Sequence, residues 1–285
     1  MDLTKDVGFK MTFGDPNHPE LILGLLRHLI PERDIESIDF LNTEALGDDD
    51  NEKVMRFDIL CHERDGAYFV VEMQKNDYEY FTDRLVVYAG TPLKKLLKKG
   101  EEYTYVKPLY IVSILDYVLE LPGDKVEDSR KLVRKAVLRM ADNGVVLSNK
   151  LNYIFLQMPL ISKLSRGQEF LEMWSYTIRN ISSLKEKPAE LEDAYFDRLF
   201  EIADRGNIGS DKLTIYDRMI RDEIQIKAEK DYAVRKAKEQ GLADGMEKGM
   251  EKGKEESARN LKALGVDVEI ICKATGLTRE QVEAL

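Results

Sequence analysis

Two strand-like segments joined by a short turn constrain the fold of this chain more than any other feature. The first segment is VMRFDILCHE, the second is AYFVVEMQ, and Arg-Asp-Gly separates them. Both are rich in β-branched and aromatic residues, and Asp-Gly between such segments is a strong hairpin signal. Residues 54–74 are therefore predicted to form an antiparallel β-hairpin, in which Glu72 is a carboxylate inside an otherwise apolar strand.

The alternation of side chains along the two strands predicts how they pair, because side chains two residues apart share a face of a sheet. One face would be apolar on both strands, with Phe57, Ile59, Cys61, Phe69, Val71 and Met73. A two-residue turn would place Asp58 opposite Met73, whereas a three-residue loop at 64–66 places Asp58 opposite Glu72. Only the three-residue loop keeps that face apolar on both strands, and it brings the two carboxylates to about 5 Å.

Two carboxylates that face each other across a hairpin need a compensating cation or a raised pKa, because like charges directly opposite destabilise a sheet. Oxygen ligands without soft donors nearby suit a hard divalent ion such as Mg²⁺. Such an ion activates water and neutralises charge on a phosphodiester. The alternative is a solvent-facing hairpin with ordinary acidic residues, and the spacing alone favours neither interpretation.

The composition limits the classes of protein to consider. The chain has 285 residues, which predicts one domain of ordinary size and a second region. Its net charge of −10 argues against binding nucleic acid through charge alone, although a bound metal ion would locally reverse the field. Cys61 and Cys272 have no CxxC partner, which argues against a disulfide framework or a structural zinc site. Since no apolar stretch is long enough to span a bilayer, we expect a soluble, cytoplasmic protein.

The segments around the hairpin predict an order of helix, three strands, helix and strand. Apolar residues at helical spacing predict the first helix over PELILGLLRHLI, and IESIDFL predicts the strand before the hairpin. After the hairpin, DYEYFTDRLVVYAGTPLKKLLKKG predicts a helix with a kink or break at Pro92. The β-branched residues at 109–115 predict a buried central strand.

The second half of the chain is predicted to be mainly helical. Residues 151–158 predict one further strand, and FLEMWSYTIRNI and AYFDRLFEIA predict amphipathic helices with Trp174 in the core. Glycines then recur every four residues from Gly241 to Gly253. Because glycine weakens a helix, we favour a linker there over close helix–helix packing.

These patterns divide the chain into four predicted regions: a core at 1–165, a helical extension at 166–240, a glycine-periodic linker at 241–254 and a small helical tail at 255–285. The tail has a capping-box pattern in a pair of helices that resembles a helix-turn-helix. It carries more acidic than basic residues, however, which favours an oligomerisation or partner-binding module over an element that reads DNA.

Five motifs, taken in order, resemble the recombination-promoting nuclease and transposase family of the PD-(D/E)XK nuclease superfamily. They are DVGFKMTFG from residue 6, RFDIL, VVEMQ, DRLVVYAG from residue 83, and KPLYIVSIL. The resemblance covers residues 1–165, and the glycine-periodic tail is also similar to this family. It implies an α/β fold with a restriction-endonuclease-like αβββαβ core, in which helices flank a mixed central sheet, and a helical C-terminal region.

The resemblance implies a DNA endonuclease that depends on Mg²⁺ or Mn²⁺. Asp58 of RFDIL falls where the family has its metal-binding aspartate, and Glu72 of VVEMQ where it has the second acidic residue. Gln74 takes the place of the superfamily lysine. A glutamine brings no positive charge, but its amide can orient the attacking water or the scissile phosphate by hydrogen bonds.

Further candidates come from the helices on either side of the hairpin. The resemblance implies that Glu20 is an extra metal ligand, whereas its position alone equally fits a first-turn acid at a helix N-terminus. Arg84 and Tyr88 match an R-x-x-x-Y pattern and would contact phosphate or brace Glu72, unless they only pack against the sheet. We interpret Asp6 and Lys10 of the N-terminal motif as a structural contact, outside the chemistry.

The sequence therefore predicts a metal-dependent DNA endonuclease with a role in DNA recombination or in mobile elements. The alternative is a nuclease-like fold with weak or no catalysis, which serves as a DNA-binding or assembly protein. A third hypothesis is a homo-oligomer that forms through the C-terminal helices. DNA is the expected partner, and no membrane association is expected.

Overall fold

The structure is a computed structural model that describes residues 1–41, 57–64, 66–77, 80–95, 102–204 and 210–285. Within these residues, six strands form a single mixed sheet with the order β1-β2-β3-β4-β6-β5. The strands are β1 (Asp39–Phe40), β2 (Ile59–His62), β3 (Tyr68–Gln74), β4 (Leu109–Leu115), β5 (Val133–Arg139) and β6 (Val146–Gln157). Strands β3, β4 and β6 run parallel to one another, and the remaining pairings are antiparallel.

The helices of the described residues lie on both sides of this sheet and in the C-terminal region. They are α1 (Asp6–Phe13), α2 (Pro19–Leu29), α3 (Phe81–Lys95), α4 (Val126–Ser129), α5 (Phe170–Asn180), α6 (Ala194–Ala203), α7 (Ser210–Ala263), α8 (Val268–Thr275) and α9 (Arg279–Ala284). The predicted order of helix, three strands, helix and strand is confirmed by α2, β1, β2, β3, α3 and β4. None of the helices within the described residues is long and apolar enough to span a membrane.

Each face of the sheet packs against its own set of helices. The first face buries the alternate side chains of the hairpin strands against α1, α2, α5 and α6, and Trp174 is fully buried there, as predicted. The second face packs against α3 through Phe81, Leu85 and Ala89. The helices α5 and α6 therefore complete the core around the sheet.

Three features of the structure differ from what the sequence predicted. Phe57 lies in the core cluster under α3 and not with Ile59, because β2 begins only at Ile59 and the alternation of side chains does not reach Phe57. Pro92 does not break the helix, since α3 continues past it to Lys95; the missing N–H of proline removes one helical hydrogen bond and leaves the others in place. Strand β5 was not predicted, because its side chains are half-buried or exposed and give a weak apolar pattern.

The chain divides into two compact units, Met1–Asp217 and Arg218–Leu285. The predicted extension at 166–240 therefore contributes to both units. The glycine-periodic residues 241–254, predicted to be a linker, are helical and belong to α7. Glycine lowers helix propensity without preventing a helix, and each of these glycines is flanked by better helix formers such as Met, Glu and Lys.

The second unit ends in a small helical pair. Asp267 caps α8 through the backbone N–H of Glu269, and Thr278 and Gln281 form the predicted capping box of α9. Its own core includes the buried side chains of Ala258, Ile271 and Val282.

Candidate active site

The hairpin of β2 and β3 brings the two predicted acids together. Ile59 pairs with Val71 and His62 with Tyr68, and the backbone N–H of Glu63 donates to the carbonyl of Ala67. Extended by one residue, this register places Asp58 opposite Glu72. The three-residue register predicted from the apolar alternation is therefore confirmed, although Asp65 of the loop lies outside the described residues.

Backbone hydrogen bonds fix both carboxylates across the hairpin. The N–H of Asp58 donates to Glu72 Oε1 at 3.1 Å, and the N–H of Met73 donates to Asp58 Oδ2 at 2.7 Å. Each acid thus accepts a hydrogen bond from the strand of the other. Because bonds from a backbone N–H to a carboxylate are short and strong, they hold the two side chains in one orientation.

Burial disfavours the charged forms of both acids and raises their pKa values. The side chain of Glu72 is 4% exposed and that of Asp58 is 10% exposed. Burial, together with the nearby charge of Glu72, raises the pKa of Asp58 to about 9. Burial also raises the pKa of Glu72 to about 7, although the N–H of Asp58 and the guanidinium of Arg84 act in the opposite direction. At neutral pH the pair therefore keeps a proton unless a cation approaches.

A lysine of α1 contacts the acid pair from one side. Lys10 Nζ lies 3.2 Å from Asp58 Oδ1 and 3.0 Å from the Asp6 carboxylate, four residues earlier on the same helix. Burial lowers the pKa of Lys10, but Asp58 and Asp6 raise it overall. Burial raises the pKa of Asp6, whereas hydrogen bonds with Asp58 and Lys10 lower it overall. A third acid and an ammonium thus adjoin Asp58.

An arginine of α3 lies near Glu72. Arg84 Nη2 is 3.7 Å from Glu72 Oε2, and the guanidinium stacks over the ring of Tyr88 at 4.9 Å from its centroid. Tyr88 in turn meets Phe57 edge-on. The structure therefore brings Arg84 and Tyr88 to Glu72, at the spacing of one helical turn.

Polar atoms without partners lie on the same face of the sheet. Ser113 pairs with Glu72 in the parallel register of β3 and β4, and its side chain is fully buried. Within the described part of the chain, neither Ser113 Oγ nor Arg84 Nε has a hydrogen-bond partner. Buried polar groups normally are hydrogen-bonded, so these two atoms are unusual features of the site.

Gln74 is the last residue of β3, two residues after Glu72, so the two side chains share a face. It is 6% exposed. Its carbonyl accepts a hydrogen bond from the N–H of Asp116. The side-chain amide of a glutamine offers two N–H donors and one acceptor oxygen at this end of β3.

Glu20 has partners of a different kind from those of the acid pair. At the N-terminus of α2, its carboxylate lies 3.4 Å from His18 and 3.4 Å from Arg198 of α6. Its side chain is half-exposed, and these contacts tie α2 to α6. In the structure, Asp6 and not Glu20 is the further acid that contacts Asp58.

Three residues next to the acids had no chemical role in the sequence interpretation: Asp6, Lys10 and Ser113. Asp6 and Lys10 carried a usable signal, because opposite charges four residues apart on a helix present both charges to one neighbour. Their contact with Asp58 depends on how α1 lies against the sheet, which the sequence does not encode locally. Ser113 gave no signal, since a serine inside a buried strand is usually structural.

The donor set fits a hard divalent ion bound by two carboxylates. Mg²⁺ commonly uses one or two protein carboxylates and fills its remaining positions with water and phosphate oxygens. Asp58 and Glu72 supply such carboxylates, and a divalent ion between them would favour their charged forms. Among the residues that the structure describes, no three His, Cys, Asp or Glu side chains converge closely enough to enclose an ion.

Comparison with known protein families gives a match over most of the chain. The family described as PD-(D/E)XK nuclease family transposase matches residues 3–235, which include the whole sheet and every residue described at the acid pair. Comparisons with curated proteins and with solved structures gave no significant match.

Proposed function

Because the chain belongs to the PD-(D/E)XK nuclease family transposases, we propose that it is a DNA endonuclease that requires a divalent metal ion. The family match confirms two sequence predictions: the resemblance to this family and the α/β nuclease-like fold. The proposed reaction is hydrolysis of a phosphodiester bond, with a role in DNA recombination or in mobile elements. The substrate DNA is the proposed partner, and the cytoplasm is the proposed location.

The buried pair of Asp58 and Glu72 is the observation that carries this proposal. A pair of carboxylates with raised pKa values on facing strands is destabilising for the fold alone, so it calls for a role that uses the charge. Metal binding is such a role, because an ion between the carboxylates removes their repulsion. Mg²⁺ and Mn²⁺ are the ions that carboxylate and water ligands suit.

Each residue around the pair has a proposed task. Asp58 and Glu72 would hold the ion, and the backbone N–H groups across the hairpin keep their carboxylates oriented for it. A bound ion would supply an activated water and neutralise charge on the phosphodiester. Gln74 would orient the water or the phosphate with its amide, and Arg84, held over Tyr88, would brace Glu72 and face phosphate.

Free cysteines support the proposed cytoplasmic location. Cys61 is fully buried and Cys272 is partly buried, and both are free cysteines. Burial raises the pKa of the Cys61 thiol to about 12, so this thiol is unreactive. Thiols that are kept as packing groups are typical of a reducing compartment.

A plasmid cleavage assay tests the proposed activity. Wild type should convert supercoiled DNA to nicked or linear forms in Mg²⁺ or Mn²⁺ and not in a chelator. Asp58→Asn and Glu72→Gln should each reduce the rate by about 100-fold or more, since each removes a carboxylate that holds the ion. Glu32→Gln, which alters an exposed acid paired with Lys135, should keep the wild-type rate. Equal cleavage by wild type and both active-site variants would assign the activity to a contaminant.

A second candidate is a nuclease-fold protein that binds DNA or assembles complexes without cleaving. Its support is that Gln74 brings no charge and that Lys10 already occupies one oxygen of Asp58. This candidate predicts no stabilisation by millimolar Mg²⁺, whereas an ion that binds only the folded state raises the melting temperature. A thermal melt with and without Mg²⁺ separates the two candidates.

A further inference from the structure

Lys10 has a position at the acid pair that the sequence motifs did not give it. Its ammonium is within 3.2 Å of Asp58 Oδ1, and its side chain is 32% exposed, compared with 10% for Asp58 and 4% for Glu72. Of these three side chains, that of Lys10 is therefore the most accessible from solvent.

The other cations of the described residues near the hairpin are placed differently. Lys75 follows Gln74, but its ammonium bonds the hydroxyl of Thr4 at 2.9 Å and lies 3.7 Å from Asp2. Arg84 faces Glu72 at 3.7 Å, with its guanidinium stacked over an aromatic ring. The described ammonium that contacts Asp58 is thus that of Lys10, whereas Gln74 contributes a neutral amide at the end of β3.

We propose that Lys10 is a catalytic residue, whose ammonium contacts a non-bridging oxygen of the scissile phosphate and supplies the positive charge that Gln74 lacks. This inference rests on the proposed endonuclease function. Positive charge aimed at the phosphoryl oxygens stabilises the negative charge that grows there in the transition state. Lys10 transfers no proton in this proposal; it acts by charge alone.

The contacts of Lys10 suit such a change of partner. If a divalent ion were held by Asp58, Lys10 would keep its second carboxylate partner, Asp6, at 3.0 Å and one helical turn away. Asp6 would then hold the ammonium beside the acid pair. Lysine suits this task because its ammonium is a compact charge on a flexible stem, with three hydrogens to share between partners.

A purely structural role is the competing explanation for the same contacts. Lys10 would then only join α1 to the start of β2 through Asp58. The two roles differ in one respect that can be measured. If the role of Lys10 is structural, a lysine at another position cannot replace it. If Lys10 supplies charge to the phosphate, a lysine elsewhere at the site can restore the activity.

Cleavage kinetics with a rescue variant test the inference. Lys10→Met should reduce the rate of plasmid cleavage by about 100-fold, the usual effect of removing one transition-state donor. Adding Gln74→Lys to Lys10→Met should restore a substantial part of that rate, because it returns a positive charge to the same face of the site. The control Lys75→Met, which removes a neighbouring lysine held by Asp2, should cleave as wild type does.

A DNA-binding measurement gives a readout that needs no cleavage. Binding of a short synthetic duplex in Ca²⁺ should weaken in Lys10→Met, and the slope of log affinity against log salt should fall by about one, as expected for one lost phosphate contact. Lys75→Met should leave the slope unchanged. A structural role for Lys10 predicts the wild-type slope in every variant that folds.

The outcomes separate this inference from the proposed function. Wild-type cleavage that is lost in Asp58→Asn but retained in Lys10→Met overturns the role of Lys10 and leaves the endonuclease in place. Absence of metal-dependent cleavage in wild type overturns both. If Lys10→Met does not fold, the same experiments are made with Lys10→Gln, which keeps a hydrogen-bond donor but has no charge. If neither folds, Lys10 is structural and the inference is wrong.

Discussion

At the scale of single residues, Asp58 and Glu72 show how a site is maintained against the stability of the fold. Their carboxylates are buried, and each accepts a backbone hydrogen bond from the other strand. These bonds orient the acids, but they do not offset the burial that raises the pKa of both. The fold thus tolerates a locally unfavourable arrangement, which is a frequent property of functional sites.

The raised pKa values predict a pH-dependent stability in the absence of divalent ions. Above about pH 4.5 the unfolded chain releases these protons, whereas the folded state keeps them until pH rises towards 7 at Glu72 and 9 at Asp58. The pair's contribution to folding is therefore fully present at low pH and is lost as pH rises through this window. Asp58→Asn removes the penalty, so the variant should gain stability relative to wild type as pH increases.

Thermal melts in a chelator check this prediction. The melting temperature of Asp58→Asn minus that of wild type should grow by several degrees between about pH 5.5 and pH 8. Addition of Mg²⁺ at pH 8 should reverse the order, because it stabilises only the chain with both carboxylates. A difference that stays constant with pH contradicts the assignment of the raised pKa values to this pair.

The sequence predicted the acid pair because only one register keeps a face of the hairpin apolar, so a local pattern determined a contact. It did not predict the contact of Lys10 with Asp58 or of Glu20 with Arg198. Those contacts join residues far apart in the chain, and they depend on how helices pack, which no local period encodes. Glu20 was a candidate metal ligand through the family resemblance alone. In the structure its carboxylate contacts His18 and Arg198.

At the scale of elements, the turn of the hairpin fixes the register that the site requires. Glu63 accepts hydrogen bonds from Arg33 and from the N–H of Ala67, and it is nearly fully buried. A Cβ at Gly66 would overlap the side chain of Glu63. The turn therefore needs glycine at this position for lack of space, and the register of β2 and β3 depends on it.

Gly66→Ala tests this dependence. The substitution should lower the free energy of unfolding by about 1–3 kcal/mol, because Glu63 is held by Arg33 and cannot easily yield. Gly90→Ala is the matched control: no described residue lies within 4 Å of a Cβ built at Gly90 on α3, so the substitution should stabilise the chain by up to about 1 kcal/mol. Urea unfolding measures both. Equal stability of Gly66→Ala and wild type would show that the turn is adaptable.

The glycines of α7 allow a second prediction at this scale. A Cβ on Gly241, Gly245, Gly249 or Gly253 meets open space. Replacing Gly245 and Gly249 by alanine should therefore strengthen the helix by about 1 kcal/mol per site, since alanine has the highest helix propensity. Circular dichroism of the double variant should show more helix that melts at a higher temperature. Loss of helical signal would indicate that these glycines face a close neighbour in solution.

Among the elements, those with strong apolar periods were predicted and those without were missed. The central strands β3 and β4 are buried on both sides and read clearly in the sequence. Strand β5 lies at the edge of the sheet with partly exposed side chains, so its pattern is weak. The helical state of 241–254 was missed because propensity alone argues against glycine, whereas α7 continues through these residues.

At the scale of the whole molecule, the exposed apolar residues of the C-terminal unit favour the homo-oligomer that the sequence suggested. Leu242, Met246 and Met250 follow one another at four-residue spacing on α7, and each is about two-thirds exposed. Side chains at this spacing lie along one side of a helix. An apolar row of this kind is a candidate surface for association of chains through their C-terminal helices.

Mass measurement in solution tests this association. Light scattering should give an oligomer for the full chain, and Met246→Glu should lower its mass because a charge within the apolar row opposes packing. Lys248→Gln is the control on the same helix and should leave the mass unchanged. Removal of the residues beyond 240 should also give a monomer. If the truncated chain keeps the mass of an oligomer, the C-terminal helices do not carry the contact.

The net charge of −10 limits how the chain can bind DNA. A chain with this charge repels DNA at long range, so binding must come from local cations and from an ion that reverses the field at the acids. Lys10 and Arg84 lie on either side of the acid pair and provide the local part. The proposed DNA binding and cleavage therefore depend on a divalent ion between Asp58 and Glu72.

Anomalous diffraction from crystals soaked in MnCl₂ tests this claim most directly. We expect an anomalous peak about 2.1 Å from a carboxylate oxygen of Asp58 and of Glu72, with Lys10 turned away from Asp58 Oδ1. Crystals of Asp58→Asn, soaked in the same way, should lack the peak. Wild-type crystals with both carboxylates ordered and no manganese between them would contradict the proposed metal site.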